Sequence, residues 1–462
     1  PDHIDIGQTL TIPATAAAPA AAVVTPAPAV TPPPRESIDP GGPAGIQTQP
    51  APATVAPEVT SAPTPAIPAG ASQQAPAAQT ASAEEAAGPT VAPWMLAGLT
   101  GGGALLAGSM LLMLRRRRRA QFRSRRPGRT LAAPEMTLSP VEKTITSIGA
   151  VTAPTVDHMD LVLRRLAAAA ARDGSTMPEL AAVELTATHI VIHLGEPAKL
   201  PAPWSGSDDG YHWKVIAGLP ADQIGPDVPD QPAPYPLLVT IGLGEHDELW
   251  LLNLEDLNVS ITGDPTYGHD FARYLAAEVA CNPWSAGVDV ACVGVATELE
   301  PLNPDRIHVY SPGDTFTDPV GEYVAEAVRT IDRVADAGTD VTTSRAHQTG
   351  ADAWQAKLLL VDAATEDPAL DQLLALVHAH AGHTGTSVVV RGHRPQTPGT
   401  VLEVTADGRV NLPAAGLNLV AVGLTSDEAE GCAALMAHAD TLTEVLVPAD
   451  ADATHGWRSF AD

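Results

Sequence analysis

Hydrophobic and polar positions follow different rhythms in different parts of this chain. Residues 94–114, WMLAGLTGGGALLAGSMLLML, run for 21 positions without a charge, and at 1.5 Å per residue a helix of that length spans about 31 Å, one hydrocarbon core. One transmembrane helix is the expectation. Farther on, residues 157–172 place Leu161, Leu163, Leu166 and Ala169 at apolar positions and stop at Gly174, which predicts a helix. Short strands are predicted over 183–185 and 189–193, with Trp204 and Trp213 flanking an acidic turn at Asp208, Asp209 and Gly210. Beyond a proline-rich connection at 226–236, strands are predicted over 237–241, 249–252, 259–262, 288–295, 357–361, 387–390 and 417–422. Helices fall between them over 270–281, 319–335, 368–381 and 427–437. Strands that are apolar on both faces and alternate with helices predict an α/β fold class: a three-layer domain on a parallel or mixed sheet.

Composition divides the chain further. Residues 14–93 hold 17 prolines among Ala, Thr, Val, Ser and Gln and have no aromatic side chain, so they bury too little apolar surface to offset ordering and are expected to be a disordered linker. Charge is uneven. Against a net charge of −28, nine of the 26 basic residues lie between Arg115 and Arg129, a window without an acid. Arginines directly after an apolar run set orientation by the positive-inside rule. They predict a plasma-membrane protein crossing once, N-terminus outside and C-terminus cytoplasmic. Gly98 and Gly102 within the run form a GxxxG, a spacing that lets membrane helices pack closely, so a homo-oligomer through this helix is a possible partner interaction. The expected order is 14–93 linker, 94–114 span, 115–154 basic juxtamembrane segment, 155–225 small α+β subdomain and 237–462 α/β domain. The acidic interior region offers no clustered Lys or Arg for phosphate neutralisation, so no nucleic-acid partner is expected.

Residues 1–13, PDHIDIGQTLTIP, carry Ile4, Gly7, Gln8, Leu10, Ile12 and Pro13. In these positions the segment resembles the C-terminal quarter of a LysM domain. The resemblance implies a remnant of a module that binds peptidoglycan when complete, in a membrane-anchored actinobacterial protein of the type whose cytoplasmic region continues into a winged-helix or bacterial transcriptional activator domain.

A second resemblance sits inside the α/β domain. The predicted strand at 259–262 runs into Gly263-Asp264-Pro265-Thr266-Tyr267-Gly268-His269-Asp270 and then a helix, the spacing of a P-loop, whose backbone amides and Lys cradle phosphates and whose Ser or Thr binds Mg²⁺. Residues 358–362, LLLVD, look like the strand that ends in the metal-binding Asp, here Asp362. The region from 237 to 450 is therefore similar to P-loop ATPase domains in topology. It departs from them where chemistry is done: His269 replaces Lys, Asp270 replaces Ser or Thr, Asp264 adds a carboxylate and Ala363 follows Asp362. These changes predict a degenerate phosphate loop with no cofactor.

Other chemistry is sparse. Cys281, Cys292 and Cys432 share no CxxC and read as reduced, buried thiols. His378, His380 and His383 read as the end of a helix, where the macrodipole favours them, rather than as a metal site. Arg391 and His393 follow a strand end and face a possible crevice. No catalytic residues and no metal are expected. The sequence thus predicts a non-enzymatic envelope scaffold or signalling domain, with peptidoglycan outside and protein partners inside. The alternative is a membrane-bound P-loop nucleotide-binding regulator or motor subunit.

Overall fold

The computed structural model describes residues 96–446, apart from 133, 312–317, 395–397 and 442. The LysM-like residues Ile4 to Pro13, the linker at 14–93 and Trp94 lie outside the described residues.

In chain order the first half comprises α1 (Ala104–Ser124), β1 (Arg129–Leu131), α2 (Ser139–Asp173), β2 (Leu180–Leu185), β3 (His189–Leu194), β4 (Ser205–Gly206), β5 (His212–Ile216), α3 (Ala221–Ile224), β6 (Leu238–Leu243) and β7 (Leu249–Asn253). The second half comprises β8 (Asn258–Gly263), α4 (Pro265–Cys281), β9 (Asp289–Val293), β10 (Ile307–Tyr310), α5 (Pro319–Ala337), α6 (Val341–Ala346), β11 (Lys357–Asp362) and α7 (Pro368–Ala379). It ends with β12 (Thr386–Arg391), β13 (Thr400–Val404), β14 (Arg409–Leu412), β15 (Leu417–Ala421), α8 (Ser426–Asp440) and β16 (Glu444–Leu446).

Fourteen strands form one mixed sheet in the order β10-β9-β11-β12-β8-β13-β14-β15-β6-β7-β2-β3-β5-β4. The first six are mutually parallel. From β13 onward every pairing is antiparallel. The parallel half is covered on both faces, as its apolar runs require. In β11, Leu358 and Leu360 join the core beneath α4, while Leu359 and Val361 point to the opposite layer with Leu370 and Leu373 of α7. The period-two alternation of a strand thus distributes one apolar run between two helical layers. On the antiparallel half α2 covers one face, packing Val162, Leu163 and Leu166 on Val183, Ile190, Ile192 and Leu251.

The expected transmembrane helix is not found. Among the described residues no helix is long and apolar enough to cross a membrane. The uncharged run instead opens as two 3-10 turns, Ala97–Leu99 and Gly101–Gly103, and then enters α1. Its apolar residues are satisfied by protein: Leu106, Met110, Leu111 and Leu114 are at most 4% exposed, in one cluster with Phe271 and Tyr274 of α4 and Leu435 and Met436 of α8. Ser109 donates to the Asn282 side chain at 2.7 Å, a contact with the fold that lipid does not offer.

Nor is the segment after the run a loose juxtamembrane stretch. α2 begins at Ser139 and lies antiparallel on α1, with Thr152 Oγ1 donating to the Ala104 carbonyl at 2.7 Å and Arg118 paired to Glu142 at 2.7 Å. Small residues make this approach close: a Cβ on Gly149 would lie 2.5 Å from the Ala107 carbonyl oxygen, and one on Gly108 would lie 2.7 Å from Thr152 Oγ1. Gly98 and Gly102, read as a helix-packing pair, sit instead in separate turns, the first against Glu428 and the second against Val422. The three cysteines are free and buried.

Candidate functional site

In an open α/β sheet, ligands bind in the crevice outside the carboxyl ends of the parallel strands, where connections leave in opposite directions. Here β8 is followed by α4, packed in the layer with α1, while β11 is followed by α7, packed in the layer with α5. β12 lies between β8 and β11. The carboxyl ends of these three strands bring together Gly263, Asp362 and Arg391.

Gly263 closes β8 with φ +95°, and a Cβ there would lie 2.1 Å from the Val404 carbonyl oxygen on β13. Only glycine passes so close in that conformation. The next residue settles the shape of the loop. Asp264 caps α4, its Oδ1 accepting from the Thr266 and Tyr267 amides at 2.9 and 3.0 Å, with Pro265 in the first turn. Its carbonyl already accepts the helical bond from Gly268, at 2.9 Å. Of the residues that would wrap a phosphate, Pro265 to Gly268 are therefore the first turn of a helix. Gly268 touches Ile261 at 3.5 Å from its would-be Cβ, so the chain does not demand glycine there.

Beyond that turn the site is a set of matched charges. Asp270 pairs with Arg273 at 2.7 Å, and Arg273 also binds Glu298, in the 3-10 turn that follows β9. Asp362, at the end of β11, pairs with Arg391 at the end of β12 and accepts the Ala364 amide at 2.8 Å. Burial works to raise the Asp362 carboxyl, but the Ala364 amide and the Arg391 guanidinium outweigh it and hold it below the usual range. Burial raises Asp270, with Arg273 opposing. His269 is lowered by burial and then by Arg391 and Arg273, so it is a neutral imidazole at pH 7. Arg394 donates to the Thr365 carbonyl at 3.0 Å and pairs with Asp371 at 2.7 Å.

The structure thus gathers every phosphate-loop residue read from the sequence, Gly263, Gly268, His269, Asp270 and Asp362, at one end of the sheet. It adds Asp264 as the occupant of the α4 N-terminus, and Arg273 and Glu298, which the sequence reading passed over. Arg273 was visible as the i+3 partner of Asp270. Glu298 was not, because it arrives from another connection. His378 lies in the last turn of α7, His380 is its C-cap and His383 follows in a turn. Among the described residues no group of three or more His, Cys, Asp or Glu is placed to hold a metal ion.

No family model matches the chain, and no curated protein is similar to it in sequence. Solved structures are. The cytoplasmic domain of the type VII secretion ATPase EccC from Thermomonospora curvata is similar at 21% identity and a TM-score of 0.37, over 45% of this chain and 30% of that one. EssC (ATPases 2 and 3) from Geobacillus thermodenitrificans is similar at 14% and 0.34, over 47% of this chain and 52% of that one. The conjugation coupling protein TcpA of pCW3, solved with ATPγS, is similar at 11% and 0.32, over 57% and 96%. The chain spans about a third of the EccC structure and about half of the EssC one. A likeness of this size transfers no activity.

The expected wall-binding scaffold without enzymatic character is corrected on the fold itself. The run read as its membrane span is built into the α/β core.

Proposed function

We propose that the parallel half of the sheet is a nucleotide-binding domain of P-loop type, acting as a regulator or motor subunit. One observation carries the reading: β12 lies between β8 and β11, so that the α4 N-terminus, Asp362 and Arg391 meet at the carboxyl edge where a phosphate and its counter-ion would lie. The N-terminus of α4 would supply amides at Thr266 and Tyr267, Arg391 would supply a charge to a phosphate oxygen, and Asp362 would hold the hydrated Mg²⁺ that accompanies the nucleotide. With His269 in place of the loop Lys, Arg391 is the cation at the end of the strand beside Asp362, while Arg273 is held by Asp270 and Glu298. Asp264 competes with the nucleotide for the same two amides, so binding is expected to be weak and self-limited.

The test is calorimetric titration of the chain with ATP and Mg²⁺ beside two variants. Asp264→Gly keeps most of the cap, since glycine costs only a few tenths of a kcal/mol there, and removes the competing carboxylate. It should tighten binding about tenfold, the effect of about 1.4 kcal/mol. Arg391→Ala should abolish it. No heat from ATP or ADP at millimolar concentration with either the natural chain or Asp264→Gly would refute the proposal.

A further inference from the structure

The arginine run remains unexplained once it no longer flanks a membrane span. Its residues divide into two sets. Arg117 is turned inward to Asp440 and the Met436 carbonyl, Arg118 pairs with Glu142, Arg129 and the exposed Arg126 lie within 4.0 Å of Glu444, and Arg125 donates to the Arg129 carbonyl. Arg115, Arg116, Arg119 and Arg123 are exposed and make no hydrogen bond or ion pair among the described residues. Asp157 is the carboxylate whose field Arg115 and Arg116 reach. Amid these arginines stands Phe122, 55% exposed, with the Arg125 guanidinium 3.8 Å above its ring.

From these features we infer that the last turns of α1 are a peripheral docking surface for the anionic headgroup layer of a phospholipid bilayer. Charge complementarity picks the partner's sign. Residues 94–129 carry nine bases and no acid, whereas residues 130–462 carry 16 bases and 47 acids, so an anionic surface attracts this corner of the chain and repels the rest. That asymmetry also favours one orientation, because the remainder of the chain carries a net negative charge. Phe122 picks lipid over nucleic acid. An aromatic ring ringed by arginines gains by entering the boundary between headgroups and acyl chains, and a duplex with its phosphates outward offers it no apolar phase. The patch is a helix end of about 15 Å from ten residues, a length that can lie along a flat layer. A cluster of four to eight arginines on a helix is the pattern that holds proteins to anionic lipid.

Co-sedimentation of the whole chain with vesicles tests this, using phosphatidylcholine alone and phosphatidylcholine with about a third phosphatidylserine. The mixed vesicles should carry the chain down and the neutral ones should not, with release as salt is raised. Replacing Arg115, Arg116, Arg119 and Arg123 together by Gln should weaken vesicle binding at least about tenfold, and Phe122→Ala should weaken it about threefold or more. All five side chains are exposed, and circular dichroism checks that the variants are folded. No binding to the mixed vesicles, or equal binding by the four-Gln variant, overturns the inference. So does displacement from vesicles by short duplex DNA together with unchanged binding of Phe122→Ala, which would assign the patch to nucleic-acid phosphates.

Discussion

Two buried carboxyls set how this fold responds to pH. Glu278 on α4 is fully buried and accepts from the Thr240 amide and hydroxyl, both at 2.7 Å. Burial pushes it up to about 7 against those donors. Asp256 is raised to about 7 by burial and then by Glu255, with the Thr384 and Gly385 donors opposing. A carboxyl with a folded pKa above its unfolded value binds more protons in the native state, so its stabilisation is complete below about pH 4 and is lost as pH climbs to about 7. For each group the loss is on the order of 3 kcal/mol. Half-buried His158, His193 and His269 are lowered chiefly by burial and work in the opposite sense. Glu278→Gln, which keeps an acceptor for the amide and a donor for the hydroxyl, isolates the effect. In urea titrations from pH 5 to 8 the variant should gain stability relative to the natural chain by roughly that amount, and a constant difference between the two would refute it. Arg345 and Glu255 make a buried ion pair, with the Trp354 and Pro234 carbonyls accepting from two more of the guanidinium donors. Arg345→Met strands a buried carboxylate and should cost about 3–5 kcal/mol, part of it restored by adding Glu255→Gln; a loss below about 1 kcal/mol would show the pair to be dispensable.

At the level of elements, the strands with both faces buried were legible because LLLV and SVVV leave no polar side to face water. The helix starts were legible too, and one was misjudged. α4, α5 and α7 all begin with an Asp cap followed by Pro in the first turn, at Asp264, Asp318 and Asp367. Read by that rule, Asp264-Pro265 announces an ordinary capped helix, and the P-loop spacing around it is secondary. The run at 94–114 was misread for a different reason: a row of uncharged residues is satisfied equally by lipid and by a protein core, and composition does not say which. The first half of α2 was overlooked because Gly149 and Pro154 interrupt its helical pattern, although the helix continues through both. β10, β13 and β14, of five residues or fewer, gave too short a pattern to register. The α1–α2 contact yields a direct test. Gly149→Val places side-chain atoms where the Ala107 carbonyl and Leu111 Cβ already lie, at 2.5 and 2.9 Å from the first added carbon. It should cost at least about 1–3 kcal/mol, as overpacking does, read from the shift of the denaturation midpoint; an unchanged midpoint would mean that the two helices are free to separate.

At the scale of the whole molecule, the chain closes on itself late. β1 pairs with β16, joining Arg129–Leu131 to Glu444–Leu446, and the Gly98 amide reaches Glu428, 330 positions along. A chain cut to begin at residue 130 loses α1, which supplies Leu106, Met110, Leu111 and Leu114 to the main core. It should therefore lose cooperative unfolding and bind hydrophobic dye, whereas a cut at 96 should do neither. The order of synthesis adds a consequence. α1 leaves the ribosome long before α4 and α8, and at about 5–20 residues per second the 330 residues between Gly98 and Glu428 take roughly a quarter of a minute to a minute to make. Until α4 (Pro265–Cys281) is made, about halfway through that interval, Leu106, Met110, Leu111 and Leu114 lack Phe271 and Tyr274, and until α8 follows they lack Leu435 and Met436. The apolar face of α1 is thus made early and covered late, its closing partners Leu435 and Met436 arriving with α8.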